Sequence, residues 1–312
     1  MSLAFVFPGQ GSQTVGMLDA FAGNDAVRAV MAQADAALGE PLTELIARGP
    51  ADALALTVNT QPAVLASSYA CWAAWRAAGG PEPAAVAGHS LGEYTALAVA
   101  GVFDLAQAVP LVRVRAQAMQ DAVPVGVGGM AVVMGLDDDK VRAACAGAQQ
   151  ALPGQVVEAV NFNAPAQVVI AGHKAAVERA CELAKAAGAK RALPLAVSAP
   201  FHSSLLRPAG ERLAQALAAL ELKPARTAVV HNVDAQVRTE PAAIVDALVR
   251  QAYSPVLWVD VVRRLKSLGV DRIVEFGAGK VLTGLTGRIE KDIAVSAVYD
   301  PATLDAALAA VR

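Results

Sequence analysis

Runs of hydrophobic residues alternate with segments of helical periodicity in the first part of the chain. Residues 3–7 form an apolar run closed by Pro8-Gly9, and residues 84–88 form a second one. Both patterns are typical of strands buried in a parallel sheet. Helical periodicity covers 24–38, 41–48, 61–78, 91–100 and 104–122. This alternation predicts a parallel sheet with helices on both faces.

The pattern changes at a stretch rich in Gly, Pro and Val, residues 123–129. After it, strands are predicted at 130–134, 156–161, 167–171 and 191–197, and helices at 137–149 and 174–187. The order β-α-β-β-α-β is that of the ferredoxin-like split unit. We therefore expect a ferredoxin-like subdomain at 126–197, inserted into a larger α/β domain made of 1–125 and 198–312. The larger domain continues with helices predicted at 206–221, 241–250 and 258–268 and strands at 227–232 and 270–276.

One turn joins a predicted strand to a predicted helix through a G-x-S-x-G sequence, Gly88-His89-Ser90-Leu91-Gly92. The flanking glycines permit a turn too tight for a Cβ atom. Such a turn presents the serine at a helix N-terminus, where unpaired backbone N–H groups can hold an oxyanion. The alternative is a glycine-rich turn whose serine merely caps the helix. The strand before and the helix after favour a nucleophile elbow, with Ser90 as the nucleophile.

Four histidines could activate a serine nucleophile. His202 lies in the irregular segment VSAPFHSS, where the chain returns to the larger domain, and loops there often carry function. His231 ends a predicted strand and is the second candidate, with a structural role as its alternative. His89 should point away from the serine and pack in the elbow, and His173 is interpreted as a surface turn residue. Position favours His202, and no Asp or Glu stands out as the group that would orient it.

Composition excludes several classes of function. With 312 residues, of which 55% are hydrophobic, the chain can bury a full α/β core. A net charge of −2 gives no global attraction for nucleic acid, so an acidic partner requires a local basic patch. The glycine-rich segments PGQGSQ and FGAGK lack the spacing of phosphate-binding loops. The separated cysteines Cys71, Cys145 and Cys181 suit the core of a protein in a reducing compartment.

The N-terminal segment and the remaining apolar runs bear on location. No basic leader precedes the apolar run at 3–7, and no apolar run approaches 18 residues. We therefore expect a cytoplasmic protein without a signal peptide or membrane segment.

Seven sequence blocks, in order along the chain, resemble the malonyl-CoA:acyl-carrier-protein transacylases of bacterial type II fatty-acid synthesis. The blocks are FVFPGQGSQTVGM at 5–17, NTQPAV at 59–64, GHSLGEYTAL at 88–97, LVRVRAQAMQ at 111–120, AVNFNAPAQVVIAG at 159–172, VSAPFHSSLL at 197–206 and EFGAGKVLTGL at 275–285. The resemblance implies an α/β-hydrolase-like domain with a ferredoxin-like insertion. It also implies ping-pong transfer of a malonyl group from malonyl-CoA to the phosphopantetheine thiol of holo-acyl carrier protein. No metal or permanently bound cofactor is implied, and we expect a monomer.

The same resemblance implies roles for individual positions. Ser90 would be the nucleophile and His202 its base, oriented by the backbone carbonyl of Gln251 in place of a carboxylate. Gln10 and the backbone N–H of Leu91 would form the oxyanion hole. Gln61, Met119, Asn161 and Asn163 match pocket-lining positions. Phe201 differs from the serine that some family members have before the histidine, and a bulky residue there accompanies malonyl rather than methylmalonyl use in modular synthases.

Arg115 matches the arginine that pairs with the malonyl carboxylate, whereas Arg113 should lie on another helical face, in solvent. The carrier protein of this family is acidic. We therefore expect basic residues to flank the site entrance, and the candidates are Lys190, Arg191, Arg288 and Lys291.

Three alternatives remain open at this point. The same elbow would serve a serine hydrolase or thioesterase, which would clear the acyl-enzyme without a thiol acceptor. The chain could also act as a trans-acting acyltransferase of a polyketide pathway or as the transacylase subunit of malonate decarboxylase. A carrier-binding scaffold with an inactive site is the non-enzymatic alternative.

Overall fold

The computed structural model describes residues 2–311, and its larger β-sheet confirms the predicted parallel α/β architecture. Its strands are β1 (Leu3–Phe7), β2 (Ala85–Gly88), β7 (Ala228–Val230), β8 (Val237–Arg238), β9 (Arg272–Phe276) and β10 (Ala294–Val298). Their spatial order is β10-β9-β1-β2-β7-β8, and every neighbouring pair is parallel except the short β7–β8 hairpin. The elbow therefore follows a strand at the centre of this sheet.

Helices cover both faces of the larger sheet. They are α1 (Asp25–Leu38), α2 (Leu42–Arg48), α3 (Ala51–Ala55), α4 (Thr57–Ala77), α5 (Gly92–Val99), α6 (Leu105–Asp121), α9 (Arg207–Ala218), α10 (Pro241–Gln251), α11 (Trp258–Ser267), α12 (Val281–Ile289) and α13 (Pro301–Val311). Alternate side chains of β1 enter two different apolar clusters: Phe5 and Phe7 lie in one, Ala4 and Val6 in the other. This two-residue period is the reason that the whole of β1 is hydrophobic.

A second sheet has four antiparallel strands, β3 (Gly128–Met134), β4 (Val157–Ala164), β5 (Gln167–His173) and β6 (Arg191–Pro194). Their spatial order is β4-β5-β3-β6, and helices α7 (Asp138–Ala151) and α8 (Lys174–Ala186) pack on one face. With the chain order β-α-β-β-α-β, this is the arrangement of a ferredoxin-like unit. The boundaries 126 and 197 that we drew around it stay a prediction.

Several elements differ from the sequence-based prediction. The strand expected at 191–197 ends at Pro194, because the N–H of Val197 donates to the carbonyl of Leu195 in a tight turn. Helix α4 begins at Thr57 and not at 61, which places Pro62 inside the helix. Helix α3 and strand β8 were not predicted, nor were α12, β10 and α13, which follow the last predicted strand.

Candidate active site

Ser90 sits in a sharp turn between β2 and α5. Its φ of 52° lies in the left-handed region that non-glycine residues rarely adopt. A Cβ atom on Gly92 would lie 1.9 Å from the carbonyl oxygen of Phe7, and one on Gly88 would lie 1.9 Å from the carbonyl carbon of Gly92. Glycine is therefore required on both sides of the serine, as a strand–turn–helix elbow demands.

A hydrogen-bonded chain links the serine hydroxyl to a histidine and a backbone carbonyl. Ser90 Oγ lies 2.6 Å from His202 Nε2, and His202 Nδ1 lies 2.9 Å from the carbonyl oxygen of Gln251. Gln251 is the last residue of α10, so its carbonyl belongs to the partially negative end of that helix. A partial negative charge there favours a proton on Nδ1 and stabilises an imidazolium. The carbonyl occupies the place that a carboxylate takes in most serine triads.

The other histidines have different partners. His231 is fully buried, and its Nδ1 lies 2.6 Å from Glu93 Oε1, which makes it a structural residue and not a partner of Ser90. His89 Nε2 contacts Asn163 Oδ1 at 2.7 Å, so this ring packs in the elbow and also reaches the smaller sheet. His173 Nδ1 accepts a hydrogen bond from the backbone N–H of Val156. The geometry thus brings His202 alone among the four to the serine.

Burial controls the protonation of His202. Only 3% of the residue is exposed, and desolvation followed by the positive charge of Arg115 lowers the pKa of the imidazole from 6.5 to about 3. A neutral imidazole at physiological pH can accept the proton of the serine hydroxyl.

Arg115 projects from α6 into the same site and is 2% exposed. Its Nη2 donates to Ser90 Oγ at 3.1 Å and to Gln251 Oε1 at 3.0 Å, and its Nη1 donates to Gln61 Oε1 at 2.6 Å. The guanidinium also lies over the ring of Tyr94, 5.2 Å from its centroid. No carboxylate in residues 2–311 hydrogen-bonds to it, and burial lowers its pKa. A buried cation with only neutral partners favours an anionic ligand group.

Arg113, two residues earlier on α6, was expected to lie in solvent, but it has a carboxylate partner. It makes two hydrogen bonds to the carboxylate of Glu40, with 25% of its side chain exposed. The two arginines of this helix therefore have separate environments, one at the surface with a carboxylate and one buried without any.

Two backbone N–H groups can serve the serine as donors. Across residues 2–311, the N–H groups of Gln10 and Leu91 donate to no protein acceptor, and both residues line the cavity that contains Ser90. Leu91 precedes the first turn of α5, where N–H groups are unpaired and the helix end is partially positive. The side chain of Gln10 is engaged elsewhere, because its Nε2 donates to Thr57 Oγ1.

The serine opens into a cavity of about 390 Å³ between the two sheets. One wall carries the hydrogen-bonded residues of the larger sheet and its helices, and the other comes from β3, β4 and β5. The residues assigned to the pocket by resemblance all line this cavity: Gln61, Met119, Asn161, Asn163 and Phe201. Met130 and Val169 line it as well.

The four basic residues expected near the entrance do not line this cavity. Lys190 and Arg191 are exposed at the start of β6, whereas the cavity is lined by residues beyond the other end of that strand. Arg288 donates to the side chain of Gln167 and to the carbonyl of Pro165, in the turn between β4 and β5. Lys291 is exposed after α12.

Sequence analysis missed two polar residues that hold the elbow. Asn232 Oδ1 accepts a hydrogen bond from the N–H of Ser90, and its Nδ2 donates to the carbonyl of Gly88, both at 2.6 Å. Glu93, fully buried, accepts from the N–H of Asn232 at 2.9 Å. One signal was available for Glu93, since it is the only charged residue in an otherwise apolar helix.

Residues 2–311 contain no cluster of three or more His, Cys, Asp or Glu side chains that could hold a metal ion. Among the helices of the same residues, none is both long and apolar enough to cross a membrane.

Comparison with known proteins agrees with the motifs and the geometry. The acyl transferase domain family matches residues 4–285. The malonyl CoA-acyl carrier protein transacylase of Salmonella typhimurium is 53% identical over 306 residues, 98% of each chain. A crystal structure of acyl-carrier-protein S-malonyltransferase from Burkholderia pseudomallei is 60% identical and superposes with a TM-score of 0.97, covering 99% of this chain and all of that one.

A malonyl-transacylase solved in complex with its type II PKS acyl-carrier protein is 48% identical, with a TM-score of 0.97 over 99% of this chain and 100% of that chain. Relatives of this similarity, matched over 98% or more of their lengths, establish the family of the chain. The chain belongs to the malonyl-CoA:acyl-carrier-protein transacylase family of acyl transferases.

Proposed function

We propose that this protein transfers the malonyl group of malonyl-CoA to the phosphopantetheine thiol of holo-acyl carrier protein through a malonyl ester of Ser90. The observation that carries the proposal is the convergence of two groups on one oxygen. Ser90 Oγ lies within hydrogen-bond distance of both His202 Nε2 and Arg115 Nη2. The first group can activate a nucleophile, and the second can recognise a carboxylate attached to the acyl group.

In the first half-reaction, Ser90 Oγ attacks the thioester carbonyl while His202 Nε2 takes the hydroxyl proton. The oxyanion of the tetrahedral intermediate accepts hydrogen bonds from the backbone N–H groups of Gln10 and Leu91. The Gln251 carbonyl holds Nδ1–H and stabilises the imidazolium. Collapse of the intermediate breaks the C–S bond, and the imidazolium gives its proton to the CoA sulfur.

The second half-reaction reverses these roles with a different thiol. His202 takes the proton of the phosphopantetheine thiol as its sulfur attacks the ester carbonyl, and the proton returns to Ser90 Oγ when the ester bond breaks. Taken together, the two steps exchange one thioester for another through an oxygen ester, and neither step changes an oxidation state. The chemistry therefore requires neither a metal ion nor a redox cofactor.

Selection of the malonyl group is assigned to Arg115. A guanidinium binds a carboxylate through two parallel charge-assisted hydrogen bonds, which a neutral acetyl group cannot accept. Phe201, Met119, Gln61, Asn161 and Asn163 are proposed to enclose the acyl chain, Phe201 filling the space that a branching methyl would need.

Carrier-protein recognition is assigned to the exposed basic residues Lys190, Arg191, Arg288 and Lys291, which suit an acidic partner. We further propose that the enzyme acts as a cytoplasmic monomer and serves fatty-acid synthesis.

Intact-mass spectrometry after addition of malonyl-CoA, and then of holo-carrier protein, tests the activity. Malonyl-CoA alone should add one malonyl group, which the carrier protein then removes; Ser90→Ala should abolish both the adduct and the transfer. An adduct that persists on the alanine variant would refute the assignment of Ser90. Rapid loss of the adduct in buffer without carrier protein would instead identify a hydrolase.

A further inference from the structure

A fully buried carboxylate lies behind the elbow, three residues after the nucleophile. Glu93 Oε1 is 2.6 Å from His231 Nδ1, and Glu93 Oε2 accepts from the backbone N–H of Asn232 at 2.9 Å and from Gln251 Nε2 at 3.0 Å. Two N–H groups therefore donate to one carboxylate oxygen, and an imidazole nitrogen faces the other. Glu93 thus places a negative charge in the protein interior close to the active site.

One side-chain amide connects this carboxylate to the buried arginine. Gln251 Oε1 accepts from Arg115 Nη2 at 3.0 Å, while Gln251 Nε2 donates to Glu93 Oε2 at 3.0 Å. The anion and the cation therefore sit at opposite ends of the same amide and make no direct ion pair. The other polar partners of the guanidinium, Gln61 and the Ser90 hydroxyl, are neutral.

This separation has two opposing electrostatic effects. The carboxylate balances the charge of Arg115, which lessens the cost of burying a cation. Because it acts across the amide, it leaves the guanidinium without a carboxylate in direct contact. The same negative charge also repels any ligand carboxylate that approaches Arg115, since Coulomb interactions in a poorly hydrated interior extend over such distances.

We propose that Glu93 is a positioning residue that moderates, through Gln251, how strongly Arg115 holds the carboxylate of the acyl group. With Glu93 in place, the arginine selects a malonyl group yet lets it leave with the carrier protein. This inference rests on the proposed function, because it concerns the same acyl group.

Binding to catalytically inactive protein measures the effect without acylation. In a Ser90→Ala background, Glu93→Gln should tighten malonyl-CoA binding by about tenfold, equivalent to roughly 1.4 kcal/mol, and leave acetyl-CoA binding within about twofold, as followed by calorimetry. Glu93→Asp, which keeps the charge, should restore the wild-type ratio of the two affinities. In the active enzyme, Glu93→Gln should lower KM for malonyl-CoA and also lower kcat, because release of the malonyl product slows.

A structural role alone predicts another pattern. A distorted site would weaken both CoA esters or change them by the same factor, and either result would overturn the inference. If Glu93→Gln cannot be purified folded, Glu93→Met provides the second test, because it removes the charge and keeps the length of the side chain. It should also tighten malonyl-CoA binding selectively, and an unchanged ratio of affinities would overturn the inference.

The inference and the proposed function fail in distinguishable ways. If the wild-type enzyme forms no malonyl adduct on Ser90, the proposed function is rejected, and this inference with it. If the adduct forms and passes to the carrier protein while Glu93→Gln keeps the wild-type preference between the two CoA esters, only the inference is rejected.

Discussion

Replacing Arg115 by alanine should change which acyl group the enzyme prefers. In the wild-type protein the guanidinium is 2% exposed and has no carboxylate partner in residues 2–311. Bound malonyl would supply that partner, whereas bound acetyl would leave the cation with its neutral hydrogen bonds only. Arg115→Ala removes the attraction for malonyl. It also removes the positive charge that helps to depress the pKa of His202, so the imidazole becomes a stronger base for acetyl transfer.

The magnitude follows from the burial of the guanidinium. A carboxylate about 4 Å away interacts with it by roughly 4 kcal/mol at an effective dielectric constant of about 20. Breaking a buried ion pair by deleting one member costs about 3–5 kcal/mol. Malonyl transfer should therefore fall by at least about 100-fold in kcat/KM, equivalent to roughly 3 kcal/mol, while acetyl transfer stays constant or rises.

The assay compares transfer from malonyl-CoA and from acetyl-CoA to holo-carrier protein under the same conditions. Arg113→Ala is the matched control, because its ion pair with Glu40 lies partly exposed at the surface. Such pairs contribute at most about 1 kcal/mol, and neither substrate should respond to this substitution. If Arg115→Ala slowed both acyl groups by the same factor, the arginine would be a structural residue and the argument for selectivity would be wrong.

Three further predictions concern other parts of the molecule. The free energy of unfolding should decline as pH falls from 6.5 to about 3, by up to roughly 1.4 kcal/mol per pH unit. The unfolded chain takes up a proton over this range, whereas folded His202, with its pKa lowered to about 3, does not. In urea titrations His202→Gln should lack this part of the pH dependence, and an unchanged slope in the variant would contradict the prediction. Gly88→Ala should yield no folded protein, because the added Cβ would lie 1.9 Å from a backbone carbonyl carbon. Gly284→Ala lies inside α12, where an added Cβ has nothing within 4 Å, and should stabilise the folded protein by about 0.5–1 kcal/mol. Similar melting temperatures for the two variants would argue against the close packing of this elbow. Charge reversal at Lys190 and Arg191 should raise KM for the carrier protein in a salt-dependent way and leave KM for malonyl-CoA nearly unchanged; equal changes in both would remove these residues from the docking surface.

The strongest local patterns predicted the central elements of the fold well. The apolar run closed by Pro8-Gly9 became β1, and the G-x-S-x-G turn became the connection between β2 and α5. Strand β10, which follows Phe276, was not predicted, and its place in the sheet gives a physical reason. Residues 294–298 are buried at one position only, because β10 is an edge strand, and so lack the continuous apolar run of an inner strand.

Local pattern predicted Ser90 and favoured His202, whereas the roles of Arg115, Gln251, Gln10 and the other pocket residues came from resemblance. Position in the chain favoured His202 among the four histidines without excluding His231, and only folding shows Nε2 of His202 at 2.6 Å from Ser90 Oγ. The network of Glu93, Asn232 and Gln251 joins residues more than 130 positions apart in the chain. The charge of Glu93 within a helix of otherwise uncharged residues was a local signal, but neither periodicity nor spacing indicates which distant residues it contacts.

The two walls of the cavity are encoded in different stretches of the chain. Ser90 lies between β2 and α5, and His202 lies in the segment after β6, while Met130 and Val169 line the cavity from the smaller sheet. Mutations in the smaller sheet can therefore reshape the space for the acyl group and leave the hydrogen bonds of Ser90 intact. Changes in this wall can therefore alter the size of the acyl pocket while Arg115, on the opposite wall, continues to favour an acyl group that carries a carboxylate.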